Sequence, residues 1–300
     1  MKKKLVFLGD INSINIELIQ KSHHYLKNKV KYILLGNRKD LSNYLNKLSS
    51  NLDINDITNP LNFENYKKES LNIFDIENIH KEKYQNLLNQ IRISNHLANL
   101  LKIDLVTLPI NKSLFKKRMK FNGMTEYLAI LNKKKTVMLM HGEKFSIIPL
   151  TTHINLKDVS FFLKTNFIKK ELKVIQNFIK KADYNLNFKK IKFLCYNPHC
   201  GEDNTIGHED DIIKKSIHSF NKISGPYSAD SAFKKIDKSS LFISMYHDQA
   251  LIPFKILNNK GINITMGLKY RRISPAHGTA YDIKFKNKAD NTSFVSCMKF

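Results

Sequence analysis

Short uninterrupted apolar runs alternate along this chain with longer stretches in which apolar residues recur every three or four positions. Residues 4–8 read as a buried strand closed by Gly9 and Asp10, and residues 13–26 as an amphipathic helix. A second apolar run at 30–35 ends at Gly36 and Asn37. Strand, helix and strand joined by short turns signal an α/β layer in which crossover helices cover a mostly parallel sheet. Residues 37–84 are polar and weakly periodic and support no assignment. Helical spacing returns at 87–101, and strands are expected at 103–108, 136–140, 145–150, 190–196 and 241–246. Residues 159–182 carry apolar residues at helical spacing with lysines on the other face.

Composition narrows the class. At about 150 residues per domain, a chain of 300 residues is expected to hold two domains. Its 42% hydrophobic content is enough for a core and argues against global disorder. The net charge of +24 raises the question of a nucleic-acid partner. The basic pairs and triplets, however, are scattered over the whole length rather than gathered in a stripe, so they read as a solvated surface and no nucleic acid is expected. Three cysteines, Cys195, Cys200 and Cys297, form no disulfide framework and fit a reducing, cytoplasmic compartment. The apolar run Leu5, Val6, Phe7, Leu8 is too short for a signal-peptide core, and no stretch approaches the ~18 residues of a spanning helix, so no membrane association is expected.

Two groups of residues have the chemistry of a site. His153, His199 and His247 each fall just past an expected strand, where open α/β sheets gather their ligand sites. Three imidazoles meeting at one point make a shell for a catalytic divalent cation; taken singly, each reads more readily as a hydrogen-bonded loop residue than as a ligand. Cys195 and Cys200 lack the spacing and partners of a zinc knuckle. Lys255, Asn263 and Arg272 could together hold a small substrate bearing phosphate and carboxylate, or simply form a solvated basic face. Neither a G-x-G-x-x-G fingerprint nor a P-loop occurs, so a dinucleotide is not held by a Rossmann turn.

Ordered motifs then add a resemblance. N-P-H-C-G-E-D from Asn197, G-P-Y-S-A-D-S-A-F from Gly225, M-Y-H-D-Q-A-L from Met245, N-I-T-M-G-L from Asn263 and R-x-S-x-x-H-G-T-A from Arg272 resemble the 4-hydroxythreonine-4-phosphate dehydrogenase (PdxA) family of the pyridoxal phosphate pathway. P-I-N-K from Pro109, G-M-T-E from Gly123 and T-T-H-I-N-L-K-D-V from Thr151 agree with it.

The resemblance implies a two-domain α/β fold similar to isocitrate and isopropylmalate dehydrogenases, not a Rossmann fold, working as a homodimer. One domain would comprise 1–115 with 265–300 and contribute the cofactor loop; the other, 116–264, would carry the metal histidines and the dimer contacts. It further implies metal binding by His153, His199 and His247, with zinc, magnesium or cobalt as the ion. Substrate contacts are implied for Thr125, Lys255, Asn263 and Arg272, and for position 124. The string His277, Gly278, Thr279, Ala280 and Asp282 is similar to a loop holding the adenine end of NAD or NADP. The implied reaction oxidises a phosphorylated hydroxy amino acid, 4-phosphohydroxy-L-threonine, and the keto acid formed loses carbon dioxide. Lys112 and Asp248 are the candidates for the general base.

Two departures from the family pattern carry physical weight. Met124 stands where the family has a histidine, and a thioether cannot donate a hydrogen bond. The family's G-D-P-A-G-I-G-P-E is replaced by Gly9-Asp10-Ile11-Asn12-Ser13-Ile14-Asn15-Ile16-Glu17, so any geometry that needed positive φ there has been rebuilt. Oxidation of another phosphorylated four-carbon acid, such as 4-phosphoerythronate or a 4-phospho-threonate isomer, stays open, as does a homologue that binds without turnover.

Overall fold

A computed structural model describes residues 1–300 except 62, 117, 120, 182, 183 and 185. The chain divides into two compact units, 1–135 with 268–300, and 136–267. The first pass through unit 1 forms β1 (Lys2–Phe7), α1 (Asn15–Leu26), β2 (Val30–Gly36), α2 (Arg38–Lys47), β3 (Ile54–Asp56), β4 (Leu71–Asp75), α3 (Lys83–Leu101), β5 (Asp104–Thr107) and α4 (Met124–Asn132). Unit 2 follows with β6 (Val137–His141), β7 (Ser146–Pro149), α5 (Thr165–Ile179), β8 (Lys190–Leu194), α6 (Glu209–Ile217), β9 (Ile223–Tyr227), α7 (Ala229–Ala232), β10 (Ser240–Ser244), α8 (His247–Leu257) and β11 (Ile262–Met266). The chain returns to unit 1 for β12 (Arg272–Pro275) and α9 (Thr292–Lys299).

In unit 1 the strand order is β3-β4-β2-β1-β5-β12, with parallel pairing throughout. Strands covered on both faces must be apolar on both, and β1 and β2 bury Leu5, Val6, Phe7, Ile33, Leu34 and Leu35 completely. One charge is buried with them. Lys4 is fully buried and pairs with Asp104 at 2.8 Å, while Arg271 grips the same carboxylate at 2.7 and 2.8 Å. Those two cations hold the Asp104 pKa below its usual value against the opposing effect of burial. The second domain expected from residue 116 begins here at 136, and Met124, Tyr127 and Leu128 are buried in the same hydrophobic cluster as Phe115.

The rebuilt segment after β1 keeps only Gly9 in a left-handed conformation, at φ 71°, where a Cβ would meet Pro109 O at 2.5 Å. Side chains replace the missing prolines and glycines. Asp10 Oδ1 accepts from Asn12 N at 2.9 Å, and Asn15 Nδ2 donates to Leu8 O at 2.8 Å and to Pro109 O at 2.9 Å.

Unit 2 has the order β11-β6-β7-β10-β8-β9. β7, β10, β8 and β9 run parallel, while β6 is antiparallel to both of its neighbours. α5 buries Ile168, Leu172 and Ile175 along one stripe. The helix expected over 159–182 begins only at Thr165, because Lys164 is extended (φ −133°, ψ 131°) and Leu156–Phe162 forms a separate 3-10 helix. Residue 182 of that expectation lies outside the described residues. Among the described residues, no helix is long and apolar enough to cross a membrane.

Candidate active site

The order β7-β10-β8 places three parallel strand ends side by side, about 4.8 Å apart. Each leads directly into one of the three histidines: His153 after β7, His247 after β10 and His199 after β8. Topology therefore brings together residues that are far apart in sequence. The loop after β7 is tied to the end of β10 by Leu150 N to Ser244 O (2.8 Å) and by Thr151 N to Met245 O (3.1 Å). His247 opens α8, and its Nδ1 lies 2.6 Å from Asp248 Oδ1. A carboxylate on one ring nitrogen favours the tautomer protonated there and leaves Nε2 as the atom with a lone pair to offer.

His153 and His247 face each other with ring centroids 5.7 Å apart. Together with Asp248 they line a cavity of about 300 Å³. His199 lines a neighbouring cavity of about 290 Å³ with Asn197, Ser228, Asp230 and Gln249, and Tyr246 borders both. Among the described residues no three His, Cys, Asp or Glu side chains are grouped tightly enough to hold one ion. Two of the expected ligands are thus adjacent, and the third lines the next cavity.

Backbone hydrogen bonds to Asp210 tie down the start of the His199 loop. His199 and Cys200 are both left-handed, at φ 49° and 58°. The buried Asp210 carboxylate accepts from Tyr196 N at 2.6 Å and from Asn197 N at 3.0 Å. Burial is the largest influence on Asp210 and raises its pKa. Gln249 Nε2 donates to Cys195 O at 2.7 Å, tying α8 to the end of β8.

In unit 1, Arg272 is buried, with Nε 2.8 Å from Thr107 Oγ1 and a longer 3.4 Å approach of one terminal nitrogen to Thr125 Oγ1. Desolvation lowers its pKa to about 10, opposed by Tyr270, Cys297 and Glu126. Met124 and Thr125 are buried at the start of α4. Lys112 lies on an exposed 3-10 turn and donates to Asn122 O at 2.7 Å. Desolvation lowers its pKa, and Glu126 opposes that shift.

Lys255 is exposed on α8, and Asn263 is half-buried on β11; both belong to unit 2, whereas Arg272 belongs to unit 1. Asn263 Oδ1 is buried and has no hydrogen-bond partner among the described residues. His277 Nδ1 approaches Gly278 O at 2.9 Å, and Ile14 N donates to Thr279 O at 3.1 Å. Ala280 is left-handed at φ 43°, and Asp282 is exposed on the turn that follows.

Sequence reasoning missed Thr107, Asp210 and Gln249. Gln249 and Asp210 stand in or near quoted motifs, but their role as tethers is visible only through contacts across the fold. Thr107 ends an ordinary strand and carries no local signal.

Fold and site together define an α/β protein whose candidate ligand-binding side chains gather at the carboxyl ends of parallel strands in unit 2, while unit 1 buries the Arg272 guanidinium. A sequence profile described as "Pyridoxal phosphate biosynthetic protein PdxA" matches residues 28–300. The chain is 32% identical over 324 aligned positions to the 4-hydroxythreonine-4-phosphate dehydrogenase of Aquifex aeolicus (strain VF5), covering 100% of this chain and 97% of that relative. It is 44% identical over 189 residues to that of Hydrogenobaculum sp. (strain Y04AAS1), covering 62% of this chain and 60% of the relative. The crystal structure of 4-hydroxythreonine-4-phosphate dehydrogenase from Klebsiella pneumoniae superposes with a TM-score of 0.83 at 26% identity, covering 100% of this chain and 98% of that one. The chain belongs to the PdxA family of pyridoxal phosphate biosynthetic proteins.

Proposed function

We propose that this protein oxidises 4-phosphohydroxy-L-threonine at its 3-hydroxyl with NAD or NADP, giving 2-amino-3-oxo-4-phosphooxybutanoate. That product loses carbon dioxide to leave 3-amino-2-oxopropyl phosphate. The full-length relatives that carry the name 4-hydroxythreonine-4-phosphate dehydrogenase support the reaction.

The donor set fits a divalent cation in kind: His153 and His247 are adjacent imidazoles, and His247 has a carboxylate behind it. Loop 277–282 suits a ligand on its open side, since nothing lies within 4 Å of a Cβ placed on Gly278. Zinc, magnesium or cobalt on His153, His199 and His247 would supply Lewis-acid polarisation of the hydroxyl, and a nicotinamide dinucleotide on His277, Gly278, Thr279, Ala280 and Asp282 would supply the hydride acceptor.

The protein's own residues have the remaining tasks. Arg272, with Thr125, binds an anionic group of the substrate; a guanidinium depressed only to about 10 is still charged at neutral pH. Lys255 adds a second cation for phosphate or carboxylate. Asn263 offers its buried, unpartnered Oδ1 to a substrate donor. Asp248 orients His247. Lys112, whose lowered pKa makes the neutral amine more accessible, takes the hydroxyl proton, with Asp248 the alternative base.

The chain works as a cytoplasmic homodimer in this reading. Its three cysteines are free, and unit 2 exposes the large apolar side chains Leu156, Phe161, Ile252 and Ile256.

The observation that carries the proposal is the meeting of His153 and His247 on one cavity from separate strand ends. Met124 favours a second reading with a different phosphorylated four-carbon acid, because a buried thioether replaces a donor where the substrate is read to bind. A panel of 4-phosphohydroxy-L-threonine, 4-phosphoerythronate and 4-phospho-threonate isomers, assayed with dinucleotide and divalent metal, decides between them. The first substrate is expected to give the highest kcat/KM. A higher value for another acid selects the second reading, and no turnover by folded protein selects a non-catalytic homologue.

A further inference from the structure

The segment from Thr279 to Asn291 is laced along α1 and the rebuilt turn before it. Ile14 N donates to Thr279 O at 3.1 Å, and Lys284 Nζ bonds Asn12 Oδ1. Lys21 Nζ donates to Asn287 O at 2.7 Å and to Ala289 O at 2.9 Å, and Asn291 Nδ2 to Ser22 Oγ at 2.9 Å. At the centre is Glu17, in the first turn of α1 and only 1% exposed. Its Oε1 accepts from Phe285 N at 2.5 Å, and Tyr44 OH approaches the same oxygen at 3.4 Å. Phe285 is left-handed at φ 62°, and its ring lies tilted against Tyr44 with centroids 4.4 Å apart. A non-glycine residue in that region is costly to hold unless its surroundings fix it, and the Glu17 bond supplies that restraint.

A buried carboxylate is itself costly unless what it organises repays the desolvation. Glu17 neither lines the histidine cavity nor bonds Arg272, so the reaction scheme above leaves it without a task. We propose that Glu17 is a positioning residue for dinucleotide binding: by holding the Phe285 backbone N–H it fixes the conformation of loop 277–282, whose other side is open. The inference rests on the reading of that loop as the dinucleotide loop. It also gives the altered amino-terminal segment a role, because Asn12, Ile14 and Glu17 all lie in it.

The test compares wild type, Glu17→Ala and Glu17→Gln. Dinucleotide affinity is measured by calorimetry on the protein without substrate, and steady-state kinetics are measured with both substrates. Loss of one charge-assisted bond is expected to raise the dinucleotide Kd and KM of Glu17→Ala about 10-fold or more. Its kcat and the KM for the phosphorylated substrate stay within about twofold. Glu17→Gln, which keeps an acceptor oxygen for Phe285 N, recovers most of the affinity. Amide exchange over 283–287 speeds up in Glu17→Ala and returns toward wild type in Glu17→Gln. If Glu17→Ala does not fold, Lys21→Met, an exposed change on the same seam, takes its place with an expected rise of about threefold. An unchanged dinucleotide Kd in the folded variant overturns the inference alone. Absence of dinucleotide binding by wild type overturns the cofactor reading and the inference together.

Discussion

Arg272 in unit 1 and the histidines of unit 2 are positioned by different means. The arginine is buried on a strand, with Thr107 against its Nε and the start of α4 beside it, so its direction is set by the surrounding packing. The histidines stand just beyond strand ends, His153 and His199 on connecting segments and His247 at the start of α8, and His153 and His247 are the two whose rings approach each other. A side chain fixed by packing keeps its direction without a ligand, whereas side chains at strand ends depend on how the connecting segments are tied. In this chain the ties are Thr151 to β10, Gln249 to β8 and Asp210 to the His199 loop.

The largest effect that would sharpen this contrast is at the arginine. Arg272→Met is expected to lower kcat/KM about 1000-fold, through loss of a charged contact to the substrate, while leaving metal affinity unchanged. A metal affinity that falls equally would show the two regions to be one network.

In the histidine region, His153→Ala and His247→Ala should each weaken divalent-metal binding by about 100-fold, read by calorimetry with cobalt or zinc. His199→Ala should match them. If His199→Ala binds metal as wild type does, the set contains two histidines and the assignment of the third is withdrawn. Asp248→Asn is expected to cost about 10-fold in the same measurement, since it weakens the restraint on His247 without removing a ligand.

The smallest expected effect is on stability, remote from the chemistry. Burial is the main cause, with Lys238 adding to it, of the depression of the His141 pKa to about 4, beside Ser146 Oγ at 2.8 Å. The unfolded chain therefore binds a proton that the folded one refuses. Stability from this group is complete above about pH 6.5 and falls as pH drops toward about 4, by up to about 3 kcal/mol. Denaturant titrations of His141→Phe across that range should show a flatter pH dependence than wild type, and an identical slope would remove His141 from the account.

What could be read in advance follows burial. β1, β2, β5, β7 and β10 were legible because parallel strands covered on both faces appear as continuous apolar runs. Residues 37–84 were opaque for the converse reason. α2 shows the core only Leu41, Tyr44 and Leu45, and β4 buries Asn72. That amide is fully used, donating to Lys67 O at 2.8 Å and Ser70 O at 2.9 Å and accepting from Asn55 Nδ2 at 2.8 Å, so a polar letter marks a core position.

The histidines were legible as strand-end residues, but their neighbourhood follows from the order β7-β10-β8, which no local pattern encodes. Glu17 and Thr107 bond Phe285 and Arg272, partners more than 160 positions away, and nothing near them in sequence marks those contacts.

The most direct test follows NADH and carbon dioxide together when 4-phosphohydroxy-L-threonine is supplied with NAD and a divalent cation, wild type beside His247→Ala. The account predicts equal amounts of the two products from wild type and neither from the variant. Equal rates from both proteins, or no product from folded wild type, would contradict it.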